Sequence, residues 1–486
     1  MSNDPMRIHL SLVSHTNVGK TTLARTLLGR DIGEVADRAH VTETTDDYVL
    51  ARTPEGCELI LWDTPGFGNS VALAKRLEGR ANPVGWFLSE VWDRVANKSL
   101  WLNQKALKHV KETSSVVLYL VNATELPDSA PYVSAEMRIL EWIGKPVIVL
   151  LNQMGKPKPP EAEQADVDRW KDAMSVYPIV SSVLPMDAFA RCWVQEFALF
   201  DAIAKALPDE LHATFDALRE VWSRKRRAAY SASIQAMAHY IEKLSKDREI
   251  AESASVRDQI KFLGQRLGLF KNETIQDPLG AAQTALASRA ADEFCALTDK
   301  LIAINSLQGK GVRKEILRRM QTDWKITRTV PLAPAAVAGA VSTGTVSGIA
   351  TDIATGGLSM GLGTLVGTIA GALGGAGLAV AYNHQKDTNG DMVTWSEEGI
   401  KHFLVDAILL YLSIAHYGRG RGSWVHTESP SIWENLVTNI TEKNYSLHRD
   451  TISKVDITIR QILTSLYPSN KIHGPTQHIK NSHSSM

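Results

Sequence analysis

The residues with the clearest chemistry form one loop near the N-terminus, Ser14-His15-Thr16-Asn17-Val18-Gly19-Lys20-Thr21. An apolar, strand-like run precedes this loop, and a helix-like run follows it. The spacing is that of the phosphate-binding pattern GxxxxGK(S/T), with serine in place of the first glycine. In this pattern the backbone amides bind phosphate, the lysine reaches the β and γ phosphates, and the next hydroxyl binds Mg2+. We therefore predict a nucleotide-phosphate site formed by Ser14, Asn17, Val18, Gly19, Lys20, Thr21 and Thr22.

A second element strengthens this prediction. Asp63-Thr64-Pro65-Gly66 ends an apolar, strand-like run, where P-loop enzymes place a metal-facing aspartate and a glycine amide that senses the γ-phosphate. Between the two elements lies a polar segment in which we favour Thr45, over Thr42 and Thr44, as the threonine that completes the Mg2+ shell. Plain turn chemistry is the alternative for each of these threonines. The predicted nucleotide contacts thus include Asp63 and Gly66, and the predicted metal ligands are Thr21, Thr45 and Asp63.

Strand-like and helix-like runs alternate along the chain up to about Ala206. This alternation predicts an α/β fold with a mostly parallel sheet that helices cover on both faces. Thr53-Pro54-Glu55-Gly56 predicts a hairpin between the second and third strands. Beyond Ala206 the strand signals stop, and residues 209–246 predict one long helix. We therefore expect an all-α C-terminal region after the sheet.

Three features together resemble the TrmE, Era and Der group of bacterial translation-associated GTPases. They are Asn17, Thr44-Thr45-Asp46-Asp47, and the stretch Trp-Asp-Thr-Pro-Gly-Phe-Gly that starts at Trp62. The resemblance covers roughly residues 6–207 and implies a P-loop G domain that binds GTP or GDP with Mg2+ and hydrolyses GTP slowly. In that group a hydrophobic residue, here Phe67, often replaces the catalytic glutamine of Ras-like proteins. Similarity to TrmE implies that Asn17 helps bind K+ in place of an arginine finger.

The same resemblance implies catalytic roles for Lys20, Asn17 and Thr45, and G domains of this kind tend to pair across their nucleotide faces. Guanine selection in the group comes from NKxD after a strand, but this chain has Asn152-Gln153-Met154-Gly155. Asn152 is retained and the base-reading aspartate is missing, so the choice between GTP and ATP stays open. Ser181-Ser182-Val183 resembles the element that touches the base through backbone amides, which makes Ser182 a predicted contact.

Residues 331–350 and 357–381 are two apolar segments of transmembrane length, rich in glycine and alanine. Small residues recur at every fourth position, which lets two helices pack backbone to backbone. A basic stretch from Lys310 to Arg328 precedes them and suits the cytosolic flank of a membrane segment. We expect a glycine-rich helical hairpin at 331–382 that contacts the cytoplasmic membrane. A soluble hairpin buried against the other helices is the alternative.

The combination of an Era-like G domain, a helical middle and this hairpin resembles a family of bacterial proteins whose C-terminal domain has no known function. The predicted units follow from these patterns. They are a G domain at 1–207 with a helical insertion at about 69–113, helical regions at 208–330 and 383–467, the hairpin at 331–382, and a disordered tail at 468–486.

Composition excludes some classes of function. The 53 basic and 53 acidic residues balance, so no overall field draws the protein to nucleic acid. Three cysteines, far apart, fit a reducing cytosol, and we expect a cytoplasmic protein, at the inner membrane if the hairpin inserts. The predicted function is a slow Mg2+-dependent GTPase switch. The alternatives are a nucleotide-binding membrane anchor with little hydrolysis, and a GTPase with RNA or ribosome partners.

Overall fold

A computed structural model gives the fold of this chain. It describes residues 5–29, 46–90, 98–154, 158–188, 192–252, 278–307, 378–381, 390–417, 431–446 and 450–468. The predicted disordered tail lies almost wholly outside these residues, as does the predicted hairpin at 331–382 except for its last few positions.

The N-terminal half is built on a six-stranded sheet with the order β2-β3-β1-β4-β5-β6. Its strands are β1 (Arg7–Ser14), β2 (Asp46–Arg52), β3 (Glu58–Asp63), β4 (Val116–Asn122), β5 (Val147–Asn152) and β6 (Val180–Pro185). All neighbouring strands are parallel except β2, which pairs antiparallel with β3 through the predicted hairpin. Every residue of β5 is buried, as expected for a strand covered on both faces. The predicted mostly parallel sheet is confirmed.

Helices cover the two faces of this sheet. They are α1 (Lys20–Leu28), α2 (Ser70–Leu77), α3 (Pro83–Ser89), α4 (Lys98–Thr113), α5 (Pro131–Ile143), α6 (Pro160–Met174) and α7 (Trp193–Ala206). Alternate residues of one strand enter opposite cores: Leu118 of β4 packs in the core with α1 and α7, and Tyr119 packs in the core with α5 and α6. Because β1, β3, β4, β5 and β6 run parallel, their carboxyl ends lie at one edge of the sheet.

The C-terminal part is mainly helical, as predicted. Its helices are α8 (Asp209–Lys246), α9 (Pro278–Ile304), α10 (Glu397–Ala415), α11 (Ser431–Tyr445) and α12 (Thr451–Leu466). The helix α8 has the bounds that the sequence predicts, with acidic residues in its first turn and lysines in its last turn, which favours both ends electrostatically.

A small antiparallel sheet in the C-terminal part corrects the expectation of an all-α region. It has the order β7-β9-β8, with β7 at Arg248–Glu252, β8 at Leu378–Ala381 and β9 at Gly390–Trp395. The strand β8 takes the last residues of the predicted second apolar helix, so that helix cannot run to 381. These short strands are specified by pairing between distant segments, which helical periodicity along the chain does not reveal.

One helix joins the two halves. The first part of α8 packs into a sheet core through Phe215, Leu218 and Trp222. From Tyr230 onward its buried residues belong to the core of the C-terminal helices. Among the described helices, none is both long and apolar enough to span a membrane.

Candidate nucleotide site

The phosphate loop connects β1 to α1, as predicted. Asn17 and Gly19 both have left-handed backbone, with φ of 64° and 96°. A side chain at Gly19 would also collide with Asn152, because an added Cβ would lie 2.7 Å from its Nδ2. Only glycine satisfies both conditions at this position. The loop therefore brings its amides to the N-terminus of α1, where they can bind an anion.

Lys20 turns back over the loop and is buried. Its Nζ donates a hydrogen bond to Ser14 Oγ at 3.1 Å. Burial lowers the pKa of Lys20, and the carboxylates of Asp63 and Glu136 oppose that shift. An added Cβ on Gly66 would lie 3.0 Å from the same Nζ, so glycine there lets the two segments approach. The structure thus places Lys20 and Gly66 side by side at the predicted γ-phosphate position.

Thr21 and Asp63 meet where a divalent cation would lie. The Thr21 hydroxyl donates to Asp63 Oδ2, while the buried Oδ1 has no hydrogen-bond partner. Burial raises the pKa of Asp63, and Lys20 and the Thr21 hydroxyl lower it. An unpaired, buried carboxylate oxygen beside a hydroxyl is a donor set that suits Mg2+, which needs few protein ligands when phosphates supply the rest. Among the described residues, no group of three or more His, Cys, Asp and Glu side chains is arranged to hold a metal ion.

Asn152 connects the phosphate loop to the far side of the site. Its Nδ2 donates to the Val18 carbonyl at 2.6 Å, and its Oδ1 accepts from the Ala188 amide at 2.7 Å. The side chain is fully buried. The Asn152 side chain therefore links the end of β5 to the phosphate loop and to the loop after β6.

The remaining predicted residues have different surroundings. Thr22 is buried in α1 and its carbonyl accepts from Thr26 Oγ1 at 2.9 Å. Ser182 pairs with Ile148 within the sheet, and its hydroxyl donates to the Ser181 carbonyl. The segment that reaches Asn152 is instead the loop at 186–188. Thr42, Thr44, Thr45 and Gly155 lie outside the described residues.

Phe67 occupies the position where Ras-like proteins carry a water-directing glutamine. Its ring is fully buried in the core beside α5, and its amide donates to the Ser14 carbonyl at 2.9 Å. The side chain therefore faces the protein interior and supports the phosphate loop from behind. It offers no polar group to an attacking water.

Sequence reasoning missed a buried carboxylate behind the phosphate loop. Glu136 of α5 is fully buried, with its Oε1 2.8 Å from His15 Nδ1 and its Oε2 accepting from the Tyr119 hydroxyl at 2.8 Å. Tyr132 stacks on the His15 ring with centroids 4.5 Å apart. The loop is thereby fastened to α5. No local pattern marks Glu136, because the contact spans more than a hundred residues of chain.

Comparison with known proteins agrees with the site. Residues 9–153 match the family model described as 50S ribosome-binding GTPase, and residues 302–462 match the model described as Domain of unknown function (DUF3482). The chain is 26% identical over 206 residues to GTPase Era of Aquifex aeolicus (strain VF5), which covers 41% of the chain and 57% of that relative. The chain therefore spans little more than half the length of this curated relative. The predicted resemblance of both parts is confirmed.

Solved structures give weaker likenesses. Era in complex with MgGDPNP and a segment of 16S ribosomal RNA has a TM-score of 0.31 at 18% identity, covering 52% of this chain and 73% of that one. Aquifex aeolicus Era bound to GDP and AlF4− has a TM-score of 0.31 at 16% identity, covering 60% and 88%. A probable GTP-binding protein engB has a TM-score of 0.26 at 16% identity, covering 44% and 99%. At these TM-scores the whole-chain likeness carries no weight.

Proposed function

Because residues 9–153 form a P-loop GTPase domain, we propose that this chain is a slow, Mg2+-dependent GTPase whose nucleotide state controls its helical half. The observation that carries the proposal is the convergence of Lys20, Thr21 and Asp63. A buried lysine, a hydroxyl and an unpaired carboxylate oxygen meet at a helix N-terminus. P-loop enzymes use these groups, together with Mg2+, to bind a triphosphate and neutralise its negative charge.

Mg2+ would be held by Thr21 and Asp63, with Thr45 as the third predicted ligand. When bound, the ion would neutralise charge that develops on the phosphates. The chain's own part is to orient the phosphates: Lys20 points at the loop, and the loop amides and Gly66 offer donors.

Slow turnover follows from Phe67, which brings no polar group to the attacking water. Positive charge must then come from elsewhere, and K+ held by the exposed Asn17 is our proposal for its source. Turnover that is equal in potassium and sodium, in protein that binds GTP, would contradict this part alone. Pairing of two G domains across their nucleotide faces belongs to the same proposal, and sedimentation with GDP and AlF4− tests it.

The link from site to helical half runs through α8. Arg226 of α8 donates to the Leu27 carbonyl at the end of α1, the helix that starts at the phosphate loop. A change in α1 on nucleotide exchange would therefore reach α8 directly. Hydrogen exchange of α8 peptides with GDP and with a non-hydrolysable GTP analogue measures this, and identical exchange in both states would contradict a switch.

The decisive experiment compares GTP and ATP binding and hydrolysis for the full chain and for Lys20→Ala. We expect Lys20→Ala to lower GTP affinity about 10- to 100-fold, because a charge-assisted hydrogen bond to phosphate is lost. Lys75→Ala, at an exposed position on α2, is the matched control and should bind as the parent does. Absence of Lys20-dependent binding of either nucleotide overturns the proposal.

Membrane contact through residues 331–382 is a further part of the proposal. The length and small-residue stripes of this segment and its basic flank support it. Fractionation of the full chain and of a variant lacking 331–382 tests it, and two soluble proteins would contradict it. RNA or ribosome binding is the alternative, and the description of the matching family model supports it. Co-sedimentation with ribosomes in each nucleotide state decides that alternative.

A further inference from the structure

Residues 63–68 lead from the predicted metal ligand at the end of β3 toward helix α2. Two hydrogen bonds hold this segment on the side of β1. The Thr64 hydroxyl donates to the Leu12 carbonyl at 2.6 Å, and the Phe67 amide donates to the Ser14 carbonyl at 2.9 Å. The segment is therefore fastened to β1 along most of its length, and its end at residue 68 needs a separate support.

One side chain of the helical insertion supplies that support. Asn103 of α4 is fully buried, and its Oδ1 accepts from the Gly68 amide at 3.0 Å. Its Nδ2 donates to the Gly68 carbonyl at 2.8 Å. An asparagine side chain carries both an acceptor and donors, so it can pair with both backbone groups of one residue. The two bonds together fix the orientation of Gly68 as well as its distance from α4.

The helix that carries Asn103 is itself fixed in a core of the main sheet. The apolar residues of α4 that enter the core containing Phe67 are Ala106, Leu107 and Val110. The next residue after Asn103 holds a different segment, because Gln104 Nε2 donates to the Glu90 carbonyl at 2.6 Å, just beyond the end of α3. Two neighbouring side-chain amides of α4 therefore hold two different parts of the chain.

Gly66 lies between the two supports of the segment. It is next to Lys20, because an added Cβ would lie 3.0 Å from Lys20 Nζ and 3.0 Å from the Thr16 Cα. A backbone donor that is already held in place loses little freedom when a ligand binds to it. GDP has no γ-phosphate, so a fixed Gly66 amide would favour the triphosphate alone.

We infer that Asn103 is a positioning residue for the γ-phosphate. It holds Gly68, and thereby keeps the Gly66 amide where a γ-phosphate can accept a hydrogen bond from it. The inference rests on the proposed function, and it gives the helical insertion a part in nucleotide binding. Through Asn103 the insertion raises the preference of the site for GTP over GDP.

Binding of two nucleotides tests this role in the full chain. Equilibrium affinities for GDP and for GDPNP, a non-hydrolysable GTP analogue, are measured with Mg2+ for the parent and for Asn103→Ala. GDPNP affinity should fall about 10-fold, because the γ-phosphate must then order a segment that has lost one support. GDP affinity should change less than about 3-fold. A residue that only stabilised the fold would leave the ratio of the two affinities unchanged.

Gln104→Ala is the matched control, because it removes the same amide group from the next residue of α4 and releases the end of α3 instead. It should keep the parent's ratio of GDPNP to GDP affinity. A ratio that Asn103→Ala leaves unchanged, or that Gln104→Ala lowers equally, overturns the inference while GTP binding stands. Absence of Lys20-dependent binding overturns the proposed function instead.

Hydrogen exchange of the parent decides the matter if Asn103→Ala does not fold. The Gly68 amide donates to Asn103 rather than to a nucleotide, so it should exchange at the same slow rate with GDP and with GDPNP. The measurement must resolve this single amide, because the Gly66 amide itself is expected to respond to the γ-phosphate. A Gly68 amide that exchanges fast with GDP and slowly with GDPNP would show that the γ-phosphate orders the segment, and the inference would fail.

Discussion

Buried polar side chains are arranged differently in the two halves of the molecule. In the N-terminal half, Lys20, Asp63 and Asn152 are all buried, and all lie at one edge of the sheet. Short contacts join them into one cluster through Thr21 and the Val18 carbonyl. This cluster lies against the phosphate loop, where we propose that the nucleotide binds.

In the C-terminal part the buried polar contacts are spread along helix interfaces. The Tyr230 hydroxyl donates to Asp456 Oδ1 at 2.8 Å and joins α8 to α12. Asn444 Nδ2 donates to Gln461 Oε1 at 2.9 Å and joins α11 to α12. Each contact fixes one pair of helices. Buried polar groups therefore converge on one place in the half that we propose to bind nucleotide, and in the C-terminal part they are distributed over separate helix interfaces.

The largest expected effect concerns an arginine on α8, the helix that is shared by the two halves. Arg226 lies on α8 between Trp222 of one core and Tyr230 of the other, and its Nε donates to Glu196 Oε2 at 2.8 Å. Because Glu196 is fully buried, Arg226→Ala removes a cation from a buried carboxylate. We expect the free energy of unfolding to fall by about 3 to 5 kcal/mol in urea denaturation.

Arg224→Ala is the control for that measurement, because Arg224 is exposed and its contact with Glu220 is long, at 3.8 Å. It should change stability by less than about 1 kcal/mol. If both arginine variants lose the same stability, the ion pair of Arg226 with the buried Glu196 contributes no more than a surface pair does.

The same contrast explains what the sequence could reveal. The phosphate loop and the aspartate that ends β3 are local patterns, and the structure brings their residues together. Asn103 and Glu136 carry no local signature, because their positions depend on how distant segments pack. Ser182 illustrates the limit: its place in the sequence suggests a base contact, yet the register with β5 puts it inside the sheet. Helix α8 was predictable to its ends, since helical periodicity and terminal charges are local as well.

A second prediction compares buried histidines of the two halves. His416 of the C-terminal core donates from Nδ1 to the Leu412 carbonyl at 2.7 Å, and burial lowers its pKa to about 4. In the unfolded chain its pKa is about 6.5, so below that pH the unfolded state binds more protons. Its contribution to stability is therefore present above pH 6.5 and is lost as pH falls toward 4. The loss amounts to about 2 to 3 kcal/mol.

His416→Phe should flatten this part of the pH dependence, measured by denaturation between pH 7 and pH 4.5. In the N-terminal half, burial also lowers the pKa of His109 to about 4, in the same direction. His109 is less deeply buried, so water screens its charge and His109→Phe should remove less of the acid sensitivity. A larger effect of His109→Phe would mean that the sheet, rather than the helical core, limits stability in acid.

The smallest predicted loss of stability comes from replacing one helix N-cap residue in each half. Asp450 Oδ1 accepts from the Ser453 amide at 2.8 Å at the start of α12, and Asn82 Oδ1 accepts from the Gly85 amide at 2.9 Å at the start of α3. Replacement of a cap by alanine costs about 1 kcal/mol when the helix unfolds with the domain. Buried residues of α12 belong to the C-terminal core, whereas α3 is one short helix beside the sheet. Asp450→Ala should therefore lower the free energy of unfolding by about 1 kcal/mol, and Asn82→Ala by about half as much. Equal losses would show that α3 unfolds together with the whole sheet, and that the N-terminal half is as cooperative at its surface as the helical core.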